Sequence, residues 1–314
     1  FFKQKTAYES MPSLVGSEMC IRDSSHATVR AGLDANNRRF SYASAWEDFD
    51  NDGELDLFVG NFAHPAGWSG PQRQAESRFF KNNGAAQNYD FDDLGTLGLP
   101  YAETYASPVL GDYDNDGDLD LFMTTINSTG TSAAESAILY RNDGNWNFTD
   151  VTGPENLTGL KHTYQAAFAD YDNDGDLDLV AGSNLYNNTL GNSNSWLKVK
   201  LVGDGVTVSR DAAGAQVRIA SGGDTVVRQV EIGTGEGNQN DPTLHFGLGA
   251  ITGTVDLDIL WPGGSTSNAL GLAVNNTHTV PVGVSELNAY QWIAAGSGNW
   301  HAGGNWSTGT IPND

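Results

Sequence analysis

Three acidic segments hold the side chains best suited to chemistry: DFDNDGELDLF from Asp48, DYDNDGDLDLF from Asp112 and DYDNDGDLDLV from Asp170. Numbered from the first Asp, each places carboxylates at positions 1, 3, 5 and 9 and a glycine at position 6. A hard cation such as calcium takes about six to eight oxygen ligands at short range. Alternating Asp in a tight turn supplies such oxygens, and the glycine permits the left-handed backbone that folds the position-7 carbonyl onto the ion. Without a cation the same carboxylates repel one another. The spacing predicts three Ca2+ sites, and the triple repetition disfavours the simpler reading, a solvated Asp/Asn/Gly hairpin turn.

The spacing also separates these loops from the EF-hand, which needs a bidentate Glu at position 12 and a following helix. Here position 12 is Val59, Met123 and Ala181, so Asp56, Asp120 and Asp178 at position 9 must take its place. The residues that follow (LDLFV, LDLFM, LDLVA) suit a buried strand. Catalytic patterns are absent: the six histidines show no zinc-ligand spacing, and no GxSxG or phosphate-cradling loop occurs. Paired Asp residues serve glycosidases, but a cation would hold these ionised, the wrong state for a general acid.

The elements that must position the loops recur with them. The loops start 64 and 58 residues apart, a spacing typical of repeat architectures. Each follows a strand-like segment (SYASAWE, TYASPVLG, TYQAAFA) and precedes an aromatic strand ending in a turn: RFFKNNG with Phe80 and Asn82, LYRNDG with Tyr140 and Asn142, LYNNTLG with Tyr186 and Asn188. Further strands are predicted at YDFDDL and WNFTDV. Four short strands per repeat, joined by Asn/Asp/Gly turns, is the content of a β-propeller blade.

Over roughly residues 36–194 the chain resembles the FG-GAP/VCBS repeat family, the blades of integrin-α-like propellers. The resemblance implies calcium bound in the loop between the first two strands of each blade. It assigns Asp48, Asp50, Asp52 and Asp56 to the first ion, with Glu54 offering its carbonyl. Asp112, Asp114, Asp116 and Asp120 hold the second, with Asp118 at the carbonyl position. Asp170, Asp172, Asp174 and Asp178 hold the third, with Asp176 likewise. Asn51, Asn115 and Asn173 at position 4 are expected to shape the turn. Such propellers usually close with about seven blades, so about three visible blades suggest a piece of a longer chain, completed by the remaining blades of its parent.

From Ser195 the pattern changes to WLKVKLV, AQVRIAS, TVVRQVEI, TLHFGLG, TVDLDILW and HTVPVG. These alternate apolar with polar residues, which predicts half-buried antiparallel strands, most simply a β-sandwich. The segment resembles the ASPIC/UnbV domain through SWLKVKLVG (Trp196), SRDAAGAQV (Arg210, Asp211, Gly214), the QNDP turn (Gln239 to Pro242), LHFGLG (His245 to Gly249) and LDILWPGG (Trp261, Pro262). Arg210 and Asp211 are expected to form an ion pair in a turn, and His245 to be a core or rim histidine.

The two ends read differently. Residues 1–24 contain KQKTAYE and LVGSEMCIRDS, which resemble a translated sequencing-library adapter, and they are expected to be non-native. They hold Cys20, the chain's one cysteine. Residues 285–314 carry Trp292, Trp300 and Trp306 among glycines and resemble the start of a GxW…NWxxGxxP repeat of bacterial surface proteins. The expected organisation is thus an all-β chain: the adapter-like 1–24; blades at 25–100, 101–158 and 159–194 of a partial, about three-blade propeller; a β-sandwich-like ASPIC/UnbV unit at 195–284; and the tail 285–314.

A formal charge of −23 argues against nucleic acid and anionic membranes as partners. No stretch approaches the length of a transmembrane helix. The expected function is a non-enzymatic, calcium-binding adhesion or ligand-binding module of a bacterial secreted or surface protein. Its partner would be an extracellular protein or carbohydrate, touched by exposed aromatics such as Trp68. The alternative is an accessory part of a secreted polysaccharide lyase or hydrolase whose active site lies elsewhere.

Overall fold

A computed structural model describes residues 41–61, 76–100, 105–125, 136–190, 193–221, 224–233, 235 and 237–283. The adapter-like start, Trp68 and the tryptophans of the tail lie outside the described residues. What is described is all-β, with one 3-10 turn at Ala85–Gln87.

Strands β1 (Ser41–Glu47), β2 (Asp56–Asn61), β3 (Arg78–Asn82) and β4 (Phe91–Gly95) form an antiparallel meander in that order. Strands β5 (Tyr105–Gly111), β6 (Asp120–Thr125), β7 (Ile138–Asn142) and β8 (Phe148–Asp150) repeat it. The third sheet has three strands, β9 (Ala166–Ala169), β10 (Asp178–Ala181) and β11 (Asn184–Tyr186). In these sheets the predicted strand-like segments are where the strands form.

Two more sheets follow. Among β12 (Ser195–Val202), β13 (Gln216–Ser221), β14 (Asp224–Gln229), β15 (Leu244–Gly249), β16 (Thr254–Leu260), β17 (Thr266–Ala273) and β18 (Asn276–Pro281), the orders are β15-β12-β18 and β14-β13-β16-β17. The described residues therefore form five sheets, a five-blade count, where the sequence predicts about three blades. Counting acidic loops undercounts blades because the last two sheets carry no such loop.

One further expectation is corrected, and one strand is added. The strands from Ser195 onward are not all antiparallel, because β18 pairs parallel to β12, from Leu197 opposite Asn276 to Val202 opposite Pro281. The hairpin partner of β16 is β17, and β17 then leads into β18, which joins the other sheet on the far side of β12. Strand β17 itself went unpredicted. Its TSNALGLA carries a glycine and buries only Ala269 and Leu272, whereas β16 alternates cleanly between exposed Asp and buried Val, Leu and Ile.

Among the described residues, three apolar cores hold the sheets together. Phe49, Phe58, Phe79, Leu121, Tyr140 and Phe148 fill the space between the first and second sheets. Val109, Phe122, Leu139, Phe168 and Leu179 do so between the second and third. The last two sheets share one core, built from residues such as Leu197, Val217, Phe246, Leu257 and Trp261. Each fully buried side chain of this size stabilises by about 1.5–3 kcal/mol, so these seams fix the sheets and the loops between their strands.

Candidate metal centres

Each acidic loop joins the first strand of a sheet to the second, with position 9 as the opening residue of β2, β6 or β10. The three loops are built from the same hydrogen bonds. The position-1 carboxylate accepts the amides of positions 5 and 6: Asp52 and Gly53 onto Asp48, Asp116 and Gly117 onto Asp112, Asp174 and Gly175 onto Asp170, at 3.0–3.1 Å. The position-6 glycines take φ values of 94°, 106° and 97°, which a side chain would strain. The position-9 carboxylate accepts the position-2 amide, from Phe49, Tyr113 and Tyr171, each at 3.0 Å.

This frame gathers the carboxylates of positions 1, 3 and 9. Asp48, Asp50 and Asp56 bring one oxygen each within 4.8 Å of one another, as do Asp112, Asp114 and Asp120, and Asp170, Asp172 and Asp178. Position 5 stands outside each trio. Asp52, Asp116 and Asp174 use Oδ1 to accept the position-7 amide of Glu54, Asp118 and Asp176 at 2.9–3.0 Å. Position 7, expected to offer its carbonyl, also has work for its side chain in two loops. Asn51 Nδ2 donates to Asp118 Oδ1 at 2.6 Å, and Asn115 Nδ2 to Asp176 Oδ1 at 2.7 Å. The position-4 asparagines are left-handed, with φ of 56°, 58° and 62°. They shape the turn, as expected, and Asn51 and Asn115 also stitch one loop to the next.

The donor sets suit a hard cation: all are oxygen, and the position-1 and position-9 carboxylates of the first two loops are buried. Burial pushes the Asp56 carboxyl up to about 8 and Asp48 to about 7, with neighbouring Asp charges adding to both. Burial likewise raises Asp112 and Asp120, with further repulsion from their neighbours, and Asp114 to about 6. Asp50 Oδ1 is buried without a hydrogen-bond partner. A site that resists negative charge yet concentrates carboxylates is one a divalent cation would stabilise. The third trio is more open, with Asp172 exposed.

Several contributors to these sites lie outside the acidic loops. Asn82, Asn142 and Asn188 each donate their amide to the position-9 carboxylate at 2.8–2.9 Å. Asn142 Nδ2 then reaches Phe49 O at 2.9 Å and Asn188 Nδ2 reaches Tyr113 O at 2.7 Å, so each ties its own loop to the preceding one. The signal was present as an aromatic-x-Asn recurrence in FKN, YRN and YNN. Lys81 Nζ meets both Asp50 and Asp52, and Trp146 Nε1 donates to Asp50 Oδ2 at 2.8 Å.

The segments that mark the C-terminal unit dock onto the loops. The Gly247 amide donates to Asp112 Oδ2 at 3.0 Å, and the Gly249 amide to Asn115 O at 2.9 Å. A Cβ on Gly247 would collide with Asp112 and the Asn115 backbone, so only glycine allows this approach. Thr225 N donates to Asn51 O at 3.1 Å, Arg228 Nη2 to Gly117 O at 3.1 Å, and Lys198 Nζ to Asp170 Oδ2 at 2.6 Å. Asn238 and Asn240 bridge the first strands of two sheets. Their side-chain oxygens accept from Ala166 N and Phe168 N, and their amides donate to Pro108 O and Leu110 O, at 2.8–3.3 Å.

His245 pairs its Nε2 with Gly175 O at 3.0 Å, so this nitrogen carries the proton. Burial lowers its pKa to about 4, which keeps it neutral. It meets the expectation of a core or rim histidine. The Arg210–Asp211 ion pair is corrected: both side chains are exposed, and among the described residues no ion pair joins them. Adjacent residues in an open turn point apart. Among the described residues no helix is long and apolar enough to cross a membrane.

Comparison with known proteins matches two families to different parts of the chain. A family model described as FG-GAP-like repeat matches residues 48–123 and 127–181, and one described as ASPIC and UnbV matches residues 205–287. Cartilage acidic protein 1 of Xenopus tropicalis is 26% identical over 237 residues, covering 70% of this chain and 33% of the relative. The protein of the same name from Homo sapiens is 24% identical over 255 residues, covering 76% and 35%. The chain spans about a third of the length of these relatives.

Proposed function

From a chain that carries FG-GAP-like repeats and an ASPIC and UnbV domain, we propose a calcium-stabilised, non-enzymatic binding module that works outside the cell. The observation that carries this reading is the threefold repetition of one carboxylate trio in one hydrogen-bond frame, with most of its position-1 and position-9 oxygens withdrawn from water. Bound calcium supplies positive charge that keeps these carboxylates ionised and close together. Asp48, Asp50 and Asp56 hold the first ion, Asp112, Asp114 and Asp120 the second, and Asp170, Asp172 and Asp178 the third. Asp52, Asp116, Asp174 and the carbonyls of Glu54, Asp118 and Asp176 complete the shells.

Calcium here is structural. The loops connect to one another through Asn51, Asn115, Asn142 and Asn188, so each ion supports a joint between sheets. Affinity in the range typical of extracellular modules, Kd about 10⁻⁴ to 10⁻³ M, keeps the sites filled only where calcium is abundant. The partner is a protein or carbohydrate ligand met in that setting. Because the C-terminal unit covers the loops, the ligand contacts another face. We read its two sheets as the layers of one β-sandwich, supported by their single shared core.

The test is the chain's thermal stability with added calcium against chelator, alongside magnesium. The reading expects calcium to raise the melting temperature and the Asp112→Asn variant to lose part of that rise. Equal melting in calcium and chelator would refute it.

A further inference from the structure

Between the first and second sheets an aromatic slot is filled by the fourth strand of the second sheet. Phe148 on β8 stacks on Tyr140 at 5.4 Å between ring centroids, and it lies 4.9 Å from Phe79 and 6.4 Å from Phe49. Two residues earlier, Trp146 reaches Phe49 at 5.9 Å and Phe79 at 6.3 Å. The second and third sheets repeat the walls of this slot. Tyr113 takes the loop position of Phe49, Leu139 the strand position of Phe79, and Tyr186 that of Tyr140.

Among the described residues the filler is missing: the third sheet ends at β11, and no fourth strand joins it. In its place is a groove of about 460 Å³ lined by Tyr113, Leu139 and Tyr186, with Leu185 and Leu190 at its mouth. A cavity of about 150 Å³ already holds a benzene ring, so this one has room for two aromatic side chains. Leu185 is 49% exposed, and among the described residues no strand pairs with the outer side of β11.

We propose that this groove and the β11 edge form a peptide-binding site. It takes a turn-and-strand segment that adds antiparallel to β11 and inserts two aromatic side chains, one from the strand as Phe148 does and one from the left-handed turn before it as Trp146 does. Strand addition satisfies the main-chain groups of the edge, and the two aromatics give specificity. The proposal rests on the binding-module reading and names its ligand class as a protein segment.

The probe is a labelled synthetic peptide copying residues 142–151 (NDGNWNFTDV), titrated into the full chain at saturating calcium. Saturable one-to-one binding is expected. Replacing both aromatics of the peptide by Ala should weaken it at least about tenfold, the value of one large buried side chain. Leu190→Arg in the chain, at an exposed position, should weaken it as much without lowering the melting temperature. Absence of saturable binding, or binding indifferent to both changes, overturns the proposal. Self-association of the chain without peptide, abolished by Leu190→Arg, would instead assign the groove to a second copy and also overturn it. Calcium uptake measured on the same sample separates the two readings: peptide binding without calcium uptake sinks the metal assignment alone, and calcium uptake without peptide binding sinks only the groove.

Discussion

Replacing Asp112 by Asn tests whether a loop carboxylate holds a cation or merely organises a turn. Its carboxylate accepts three amides, from Asp116, Gly117 and Gly247, at 3.0–3.1 Å. Alanine would leave all three donors unpaired, about 3–9 kcal/mol at the usual cost per buried group, enough to unfold a domain outright. Asparagine keeps the shape and can still accept from Gly117 and Gly247, but it turns an NH₂ group toward the Asp116 amide. That loss costs about 1–3 kcal/mol and is the same with or without calcium. The ionic part appears only in calcium. At about 10 mM calcium and a Kd of about 10⁻⁴ to 10⁻³ M, one bound ion contributes roughly 1.4–2.7 kcal/mol. For a chain of this size that corresponds to about 3–10 °C of melting temperature. Scanning calorimetry of the parent and variant, each in calcium and in chelator, separates the two parts. A melting drop of equal size in both conditions would show that Asp112 organises the loop without binding an ion.

Three other outcomes follow from the same geometry. Lys198→Met leaves Asp170, whose side chain is 2% exposed, without its buried ammonium, so the ion-free chain should lose about 3–5 kcal/mol. Calcium should recover much of that loss in urea titrations, and no recovery would separate Asp170 from the third site. Asn240→Ala strands Phe168 N and Leu110 O between the second and third sheets, which should cost about 1–3 kcal/mol and speed hydrogen exchange in β9. The pH dependence of the ion-free chain should be inverted relative to most proteins. The Asp48 and Asp56 carboxyls, held at about 7 and about 8 chiefly by burial, bind protons in the folded chain that the unfolded chain releases near pH 4. That stabilisation is complete below pH 4 and disappears as pH rises through 7 to 8. Denaturant titrations in chelator should show stability falling with pH across this window, and saturating calcium should abolish the trend.

Much of the fold was legible because short-range chemistry dictated it. Alternating carboxylates and a left-handed glycine define the loops, and period-2 burial defines strands such as β16. What the sequence concealed depends on contacts distant in the chain. Asn115 looks like a turn residue, yet its side chain spans to Asp176 in the next loop. Gly247 looks like a weak point in a strand, yet it is there because Asp112 approaches too closely for a Cβ. Lys198 sits in an apolar run with no local partner, and its carboxylate comes from a loop on another sheet. The count of blades differs from expectation for a related reason: the acidic loop is a conspicuous marker, and the last two sheets fold without it. Strand β17 was missed because small residues bury little area and leave no periodic trace.

Isothermal titration of calcium into the chelator-stripped chain tests the central claim most directly. Three ions per chain, with Kd in the range of about 10⁻⁴ to 10⁻³ M, is the predicted result, falling to two in Asp112→Asn. No heat of binding at millimolar calcium, or uptake unchanged by that substitution, would contradict the account.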